Sequence, residues 1–382
     1  MRRRDFLALT AGGTAAVLPG AGKAAAPKVY KSQKARFKVV QVAGGLAKPW
    51  GMAFLPGGEL LVTEKDIGRL RVIKSGKLES TPVSGVAPDA AASGLLDVAA
   101  DPSFASNRRI YLTFIGGSGS ERTTHVARAV LNGRQLTGWT VIYRATSAGT
   151  LGHHGNRVLP DGNGNLFIAL GDRDQPELAQ RLDDPAGKIC RIRDDGSVPA
   201  DNPFVNVDGA RPEIYSLGHR DPQGLAFRPG TTQLWQSEHG PTGGDEINLI
   251  KPGLNYGWPR ATHGTNPDGS PIGEGALVPG LEPPVHHWNA LSMNPPYSRA
   301  PSGIGFYNGS KFPGWKGNLF VACLRGMRLV RLELSAANKV VKQEELLIKQ
   351  VDRLRHVKQD PDGFLFLLVD RNPGRVLRLE PA

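Results

Sequence analysis

A short unit recurs six times along this chain, and a repeat of that kind restricts the fold more than any composition figure does. Each copy runs an apolar stretch into a Pro, Gly or Asp turn and then into a second apolar stretch. The copies are GMAFLPGGELLVTE from Gly51, GLLDVAADPSFASNRRIYLTF from Gly94 and GNRVLPDGNGNLFIALGD from Gly155. They continue as GLAFRPGTTQLWQSEHG from Gly224, GIGFYNGSKFPGWKGNLFVACL from Gly303 and HVKQDPDGFLFLLVD from His356. Turn formers between β-branched and aromatic runs make each copy a β-hairpin. Segments between the copies, such as Leu70–Ile73, Ala127–Val130 and Leu329–Leu332, supply outer strands. Small sheets of this kind cannot bury both faces alone, so the expected fold is all-β, a six-bladed β-propeller of four-stranded antiparallel sheets. With 48 Gly, 30 Pro and only 21% charged residues, the chain suits dense turns better than long helices. A pair of β-sandwiches would require a linker; the Pro-rich region from Asn255 to Tyr297 is the nearest candidate, and its aromatic residues mark an ordered loop instead.

Residues 1–26 are expected to be an export signal rather than part of the fold. Arg3-Arg4 followed by Phe6-Leu7 fits a twin-arginine signal, a small-residue apolar run follows, and Gly20–Ala26 looks like a cleavage region. That run is too short and too rich in Gly and Thr to span a bilayer, and no later segment is apolar enough. The expectation is therefore one propeller domain over residues 27–382, with no membrane span, in the periplasm or outside the cell. The leader holds three of the twelve net positive charges, leaving +9 on the remainder. No basic run carries interleaved aromatics, so nucleic acid is not an expected partner. The two cysteines, Cys190 and Cys323, lie in strand-like surroundings and read as separate buried thiols.

In a propeller the loops at one end of the axis converge. His153, Arg220, Gly240-Pro241, Arg325, Arg353 and Arg355 all stand at blade edges and are expected to meet there. Arg353 and Arg355 flank Leu354 in a strand-like run, which puts both guanidinium groups on one face, a spacing suited to clamping an anion. His153 has the pKa range of a general base, with a structural role as its alternative. His154 is expected to face the other way from His153 along an extended strand.

At these residues the chain resembles the soluble pyrroloquinoline quinone (PQQ)-dependent sugar dehydrogenases, the glucose/sorbosone or aldose sugar dehydrogenase family. The resemblance runs from about Phe37 to Pro381 and rests on four elements. They are the HxxxR pattern His153–Arg157, SLGHRDPQGLAF from Ser216, SEHGPTGGDEINLIKPGLNYGWP from Ser237, and RLRHVKQDPDGFLFLLVD from Arg353. It implies oxidation of an aldose, or a related polyol-aldehyde, at its anomeric carbon. His153 would be the base, and hydride would pass to PQQ and its electrons on to a quinone or cytochrome. It further implies that Arg220, Asp221, Arg325, Arg353 and Arg355 contact the cofactor. Carbonyls of Gly240 and Pro241 would bind a cofactor-linked Ca2+, and Glu246 with the Tyr256 carbonyl a second, structural calcium.

The chain also departs from the family pattern. Ala92 and Gly152 stand where a glutamine and, in the glucose branch, an aspartate are expected, Asp221 replaces an asparagine, and Arg325 replaces a lysine. Asp221 brings negative charge to an anionic cofactor, which demands a neutralising partner. Two rival readings use the same fold: a calcium-dependent sugar lactonase, which leaves Arg353 and Arg355 unexplained, and a non-catalytic propeller binding carbohydrate or protein.

Overall fold

Each copy of the repeat forms the two inner strands of one blade. In order these are Pro49–Phe54 with Leu60–Glu64, Leu95–Ala100 with Arg109–Gly116, and Gly155–Pro160 with Asn165–Leu170. Pro222–Phe227 with Leu234–Glu238, Pro301–Phe306 with Leu319–Cys323, and Leu354–Gln359 with Leu365–Val369 complete the six. The computed structural model describes residues 28–147, 152–290 and 298–382; the expected export signal and the end of the Pro-rich region lie outside them. Five blades are four-stranded, and the segments Leu70–Ile73, Ala127–Val130 and Leu329–Leu332 fall in third strands. The last blade is closed by the other end of the chain: Arg36–Leu46 pairs antiparallel with Gly374–Pro381, from Phe37 opposite Pro381 to Leu46 opposite Gly374. Helix among the described residues is confined to short turns such as Pro88–Ser93 and Phe104–Asn107. None is long and apolar enough to cross a membrane. Cys190 and Cys323 are free and buried, and burial pushes both thiols up.

Every inner strand breaks register near its start. The shifts fall at Pro49/Met52, Leu95/Val98, Gly155/Val158, Pro222/Gly224, Pro301/Ile304 and Leu354/His356. After each bulge comes a core residue: Met52, Val98, Val158, Leu225, Ile304 or Val357, all at most 4% exposed. A bulge bends the strand and re-aims the side chains inside it, so six equivalent bulges present six sets of side chains to the axis. Hydroxyls fasten neighbouring bulges together. Thr113 Oγ1 accepts from the Asp97 amide at 2.8 Å and donates to the Asn156 carbonyl of the next blade at 2.8 Å. Thr63 does the same between Gly51 and the Leu96 carbonyl, and Ser237 donates to the Ser302 carbonyl at 2.6 Å.

At the axis, large side chains sit beside positions that have none. Asp97, Arg157 and His356 point charge or polarity inward, while Gly51 and Gly303 leave room for them. A Cβ on Gly51 would stand 2.6 Å from Asp97 Oδ1, and one on Gly303 2.2 Å from the His356 ring. The Arg157 guanidinium donates to Asp97 Oδ1 at 2.8 Å and to the Gln223 carbonyl at 3.1 Å, and it lies 4.2 Å from the Trp50 ring centre. Arg157, the arginine of the HxxxR pattern, is thus a buried brace under the floor of the mouth.

Candidate active site

One mouth of the axis opens into a cleft of about 430 Å3. Its floor is made by the bulges: Trp50, Leu96, Asn156, Gln223 and Arg355 come from five different blades. Its walls come from the loops, with Lys65, Arg122, His153, His154, Asp221, His239 and Arg353 among them. Of the residues expected to converge, His153, Arg353 and Arg355 line this cleft, while Arg220 and Gly240-Pro241 are not in its lining but adjoin the wall residues Asp221 and His239 along the chain. Arg325 lies in the exposed turn directly after Leu324, which itself lines the cleft.

His153 precedes its inner strand and has a left-handed backbone, φ +39°. Strand alternation does not apply there, so His154 faces the same cleft instead of turning away. His153 Nδ1 is 2.7 Å from Asp172 Oδ1 and 3.1 Å from Asp174 Oδ1. The other oxygen of Asp172 accepts from Trp258 Nε1 at 2.8 Å, which fixes the carboxylate. An anion at Nδ1 keeps the proton there and leaves Nε2 with its lone pair. Burial pulls the His153 pKa down, but the Asp172 hydrogen bond and the Asp221 charge outweigh it, so the imidazole sits above its ordinary value. Asp172 follows the strand Asn165–Leu170 by two residues, as Glu238 and Asp370 end or follow theirs. The sequence reading missed its role, and that position in the repeat was the available signal.

Asp221 is buried with a full set of partners. The Gly155 amide donates to its Oδ1 at 3.2 Å and Gln223 Nε2 at 2.8 Å, while His239 Nδ1 is 3.3 Å from Oδ2. Burial opposes its charge, yet His239, His153 and Arg220 hold its carboxyl below the usual carboxylate range. Arg220 turns away from it and donates to the carbonyls of His239 at 3.2 Å and Gly240 at 2.9 Å. Arg355 donates to Asp370 at 2.6 Å and Gln223 Oε1 at 3.2 Å, with Arg353 at 3.6 Å from the same Asp370 oxygen. Buried polar atoms without a protein partner gather here: both amide atoms of Asn156, Nε of Arg220 and Arg355, and Nε2 of His239. Such atoms are costly in a finished core and are expected where a polar ligand completes the site.

A second cavity, of about 320 Å3, is lined by Glu246, Tyr256 and the Ala276–Pro284 loop. Glu246 is opposite Glu238 in the sheet. One amide nitrogen, Asn248 Nδ2, serves Gln236, Glu238 and Glu246 at 2.9–3.2 Å, and Asn248 Oδ1 has no partner. Burial and the Glu238 charge push the Glu246 carboxyl well above its usual range. That set is short of positive charge and rich in oxygen, the donor chemistry a hard dication takes. At Gly240-Pro241 the fit is poorer, because the Gly240 carbonyl already accepts from the Arg220 cation.

Comparison with known proteins places these features in company. The Glucose / Sorbosone dehydrogenase family model matches residues 46–378. The chain is 41% identical over 350 residues to the aldose sugar dehydrogenase YliI of Escherichia coli, covering 88% of this chain and 91% of that one. The crystal structure of the soluble aldose sugar dehydrogenase from Escherichia coli in the apo-form superposes with a TM-score of 0.85 at 39% identity, over 91% of this chain and 100% of the other. The PQQ-bound form of the aldose sugar dehydrogenase from Streptomyces coelicolor gives a TM-score of 0.72 at 30% identity, over 93% and 99%.

Proposed function

Because the chain belongs to the glucose/sorbosone dehydrogenase family, we propose that it is a PQQ- and calcium-dependent oxidoreductase that converts aldoses, or related polyol-aldehydes, to lactones. The observation that carries this reading is the meeting of His153 with Arg353 and Arg355 in one cleft where the Asn156 amide, Arg355 Nε and His239 Nε2 lack protein partners. A planar tricarboxylate suits that cleft: Arg353 and Arg355 meet its carboxylates, Arg220 its quinone edge, and Lys65 and Arg325 add positive charge at the rim. PQQ supplies the hydride acceptor when bound. The residues supply the rest. His153 Nε2 takes the proton of the anomeric hydroxyl as the C–H hydride departs, and Asp172 stabilises the imidazolium that results. His239 and Arg220 offset the Asp221 charge, which removes the objection to an aspartate beside an anionic cofactor. Glu246 and the Tyr256 carbonyl would hold a structural calcium; a cofactor-linked calcium at Gly240-Pro241 has to share a carbonyl with Arg220. With the leader read as an export signal, we place the enzyme in the periplasm or outside the cell.

Reconstitution tests the reading. Protein loaded with PQQ and calcium is expected to reduce an artificial dye in the presence of aldoses, with PQQ binding seen by calorimetry and lost on chelation of calcium. Lactone hydrolysis by cofactor-free protein would instead support the lactonase, and saccharide binding without PQQ binding a non-catalytic propeller.

The pH profile tests the dyad. A base must be unprotonated, so activity is expected to rise with pH through the His153 pKa, above its ordinary value. Asp172→Asn removes the anion that holds the proton, so the acid limb should move down by about one pH unit. The carboxamide oxygen accepts from only one of His153 and Trp258, so the plateau kcat should also fall, by about tenfold. An acid limb that stays in place in this variant refutes the pairing.

A further inference from the structure

The oxidation proposed above leaves two electrons and two protons per turnover, and the electrons must leave through a partner. We infer that one rim of the cleft, on the blades that begin at Pro301, Leu354 and Pro49, is the docking face for an acidic one-electron redox protein. Two such acceptors each take one electron, iron(III) becoming iron(II) in a haem protein, and both protons pass to solvent.

Five short segments make this rim: residues 324–327, 347–353, 370–373, 47–48 and 65–68. Backbone hydrogen bonds weld them into one surface. Lys349 N donates to Met327 O at 2.9 Å, Asp370 N to Arg353 O at 2.9 Å, Lys48 N to Arg371 O at 2.9 Å, and Lys65 N to Lys48 O at 3.1 Å. The surface carries Lys48, Lys65, Arg325, Lys349, Arg353 and Arg371. Its carboxylates are too few to balance them. Asp66 pairs with Lys48 at 3.0 Å, Asp352 with Arg371 at 2.8 Å, and Asp370 is spent on Arg355 at 2.6 Å. Turns at the opposite end of the ring carry cations too, but there carboxylates pair with them across blades, as in Glu59 with Arg134 and Asp194 with Arg109.

Two further observations fit a transient redox partner. Ile67 and Ile348, 42% and 44% exposed, stand on this rim within the basic residues. Isolated apolar contacts inside a ring of charge suit a small interface whose encounter is steered electrostatically. Lys65 and Arg353 belong both to the rim and to the cleft wall, so a protein seated here covers the opening from which electrons emerge. A lipid surface would also attract lysines, but membrane-surface binding leans on aromatic anchors. No aromatic side chain appears among the exposed large hydrophobic residues described.

The probe is cytochrome c, lysine-rich as isolated and acidic once its lysines are succinylated, so that one haem is offered with either charge. The loaded enzyme is expected to reduce the succinylated form at least about tenfold faster at low salt, with the advantage fading as the Debye length shrinks from about 30 to 8 Å. The triple variant Lys48→Glu, Lys349→Glu, Arg371→Glu should lose that preference while reducing a small uncharged dye at the parent rate. Calorimetry without turnover reads docking by itself: succinylated cytochrome should bind the parent and not the variant. Equal rates with both cytochromes, or a preference that survives charge reversal, overturns the proposal. So does salt-sensitive binding of the parent, but not the variant, to phosphatidylserine vesicles with unchanged cytochrome rates. If the parent oxidises no sugar with any acceptor, the activity reading has failed, and the calorimetry still decides whether the face docks an acidic protein.

Discussion

His153→Ala should lower kcat for sugar oxidation by about 10^2- to 10^4-fold, the usual range for loss of a positioned general base. The expectation follows from what the side chain touches. Its Nδ1 is held by Asp172, itself pinned by Trp258, so that Nε2 faces a cleft otherwise furnished with cations and amides. Asp221, the carboxylate that lines the same cleft, is held below the usual carboxylate range by its neighbours and makes a poor base. His239 pairs its Nδ1 with that same carboxylate much as His153 pairs with Asp172, and the HxxxR pattern is what sets His153 apart from it. The ring of His154 is engaged by the Arg173 guanidinium, 2.9 Å from its Nε2. Because the cofactor's carboxylates are assigned to Arg353 and Arg355, PQQ affinity measured by calorimetry should stay within about threefold of the parent, so the loss falls on kcat. Dye reduction that survives the substitution unchanged would remove His153 from the mechanism, and a collapse of PQQ binding would make it a cofactor contact.

Much of this arrangement can be read from the chain because the repeat phase is also the structural phase. The two inner strands of all six blades coincide with the six copies, and the Arg353/Arg355 pair meets His153 because each stands at a blade edge. Other features escape because they depend on departures from ideal strands. Alternation along an extended chain predicts opposite faces for His153 and His154, and the left-handed residue at His153 defeats it. Trp50, Asn156 and Gln223 reach the cleft floor only through bulges, which break the twofold period on which strand patterns rest. Aligning the copies on Met52, Val98, Val158, Leu225, Ile304 and Val357 recovers those positions, since in five of the six the floor residue lies two places earlier. Closure of the ring by Arg36–Leu46 is not legible in the repeat, because that strand completes a blade whose strands Leu354–Gln359, Leu365–Val369 and Gly374–Pro381 lie more than 300 residues away. Arg157 shows the opposite case: a motif that reads as chemistry is the brace beneath it.

That brace carries the largest expected effect on stability. Asp97→Ala should destabilise the fold by about 3–5 kcal/mol, the range for breaking one side of a buried ion pair, out of a total of about 5–15 kcal/mol for ordinary proteins. Arg157 is 2% exposed; it would keep the Gln223 carbonyl and the Trp50 ring but lose the Asp97 carboxylate, and one of its terminal nitrogens already lacks a partner among the described residues. The Val158 amide, which donates to Asp97 Oδ2 at 3.1 Å, would be left bare as well. The double variant Asp97→Leu with Arg157→Met removes charge and countercharge together and should cost less than the single change, because no uncompensated ion remains. Urea midpoints of the parent, the single and the double variant decide this, and a double variant at least as unstable as the single would show that the pair stabilises through shape rather than charge. The same series reports on function. Arg157 supports Trp50, and Trp50 forms part of the cleft floor, so the single variant should weaken ligand binding even where enough folded protein remains to measure it.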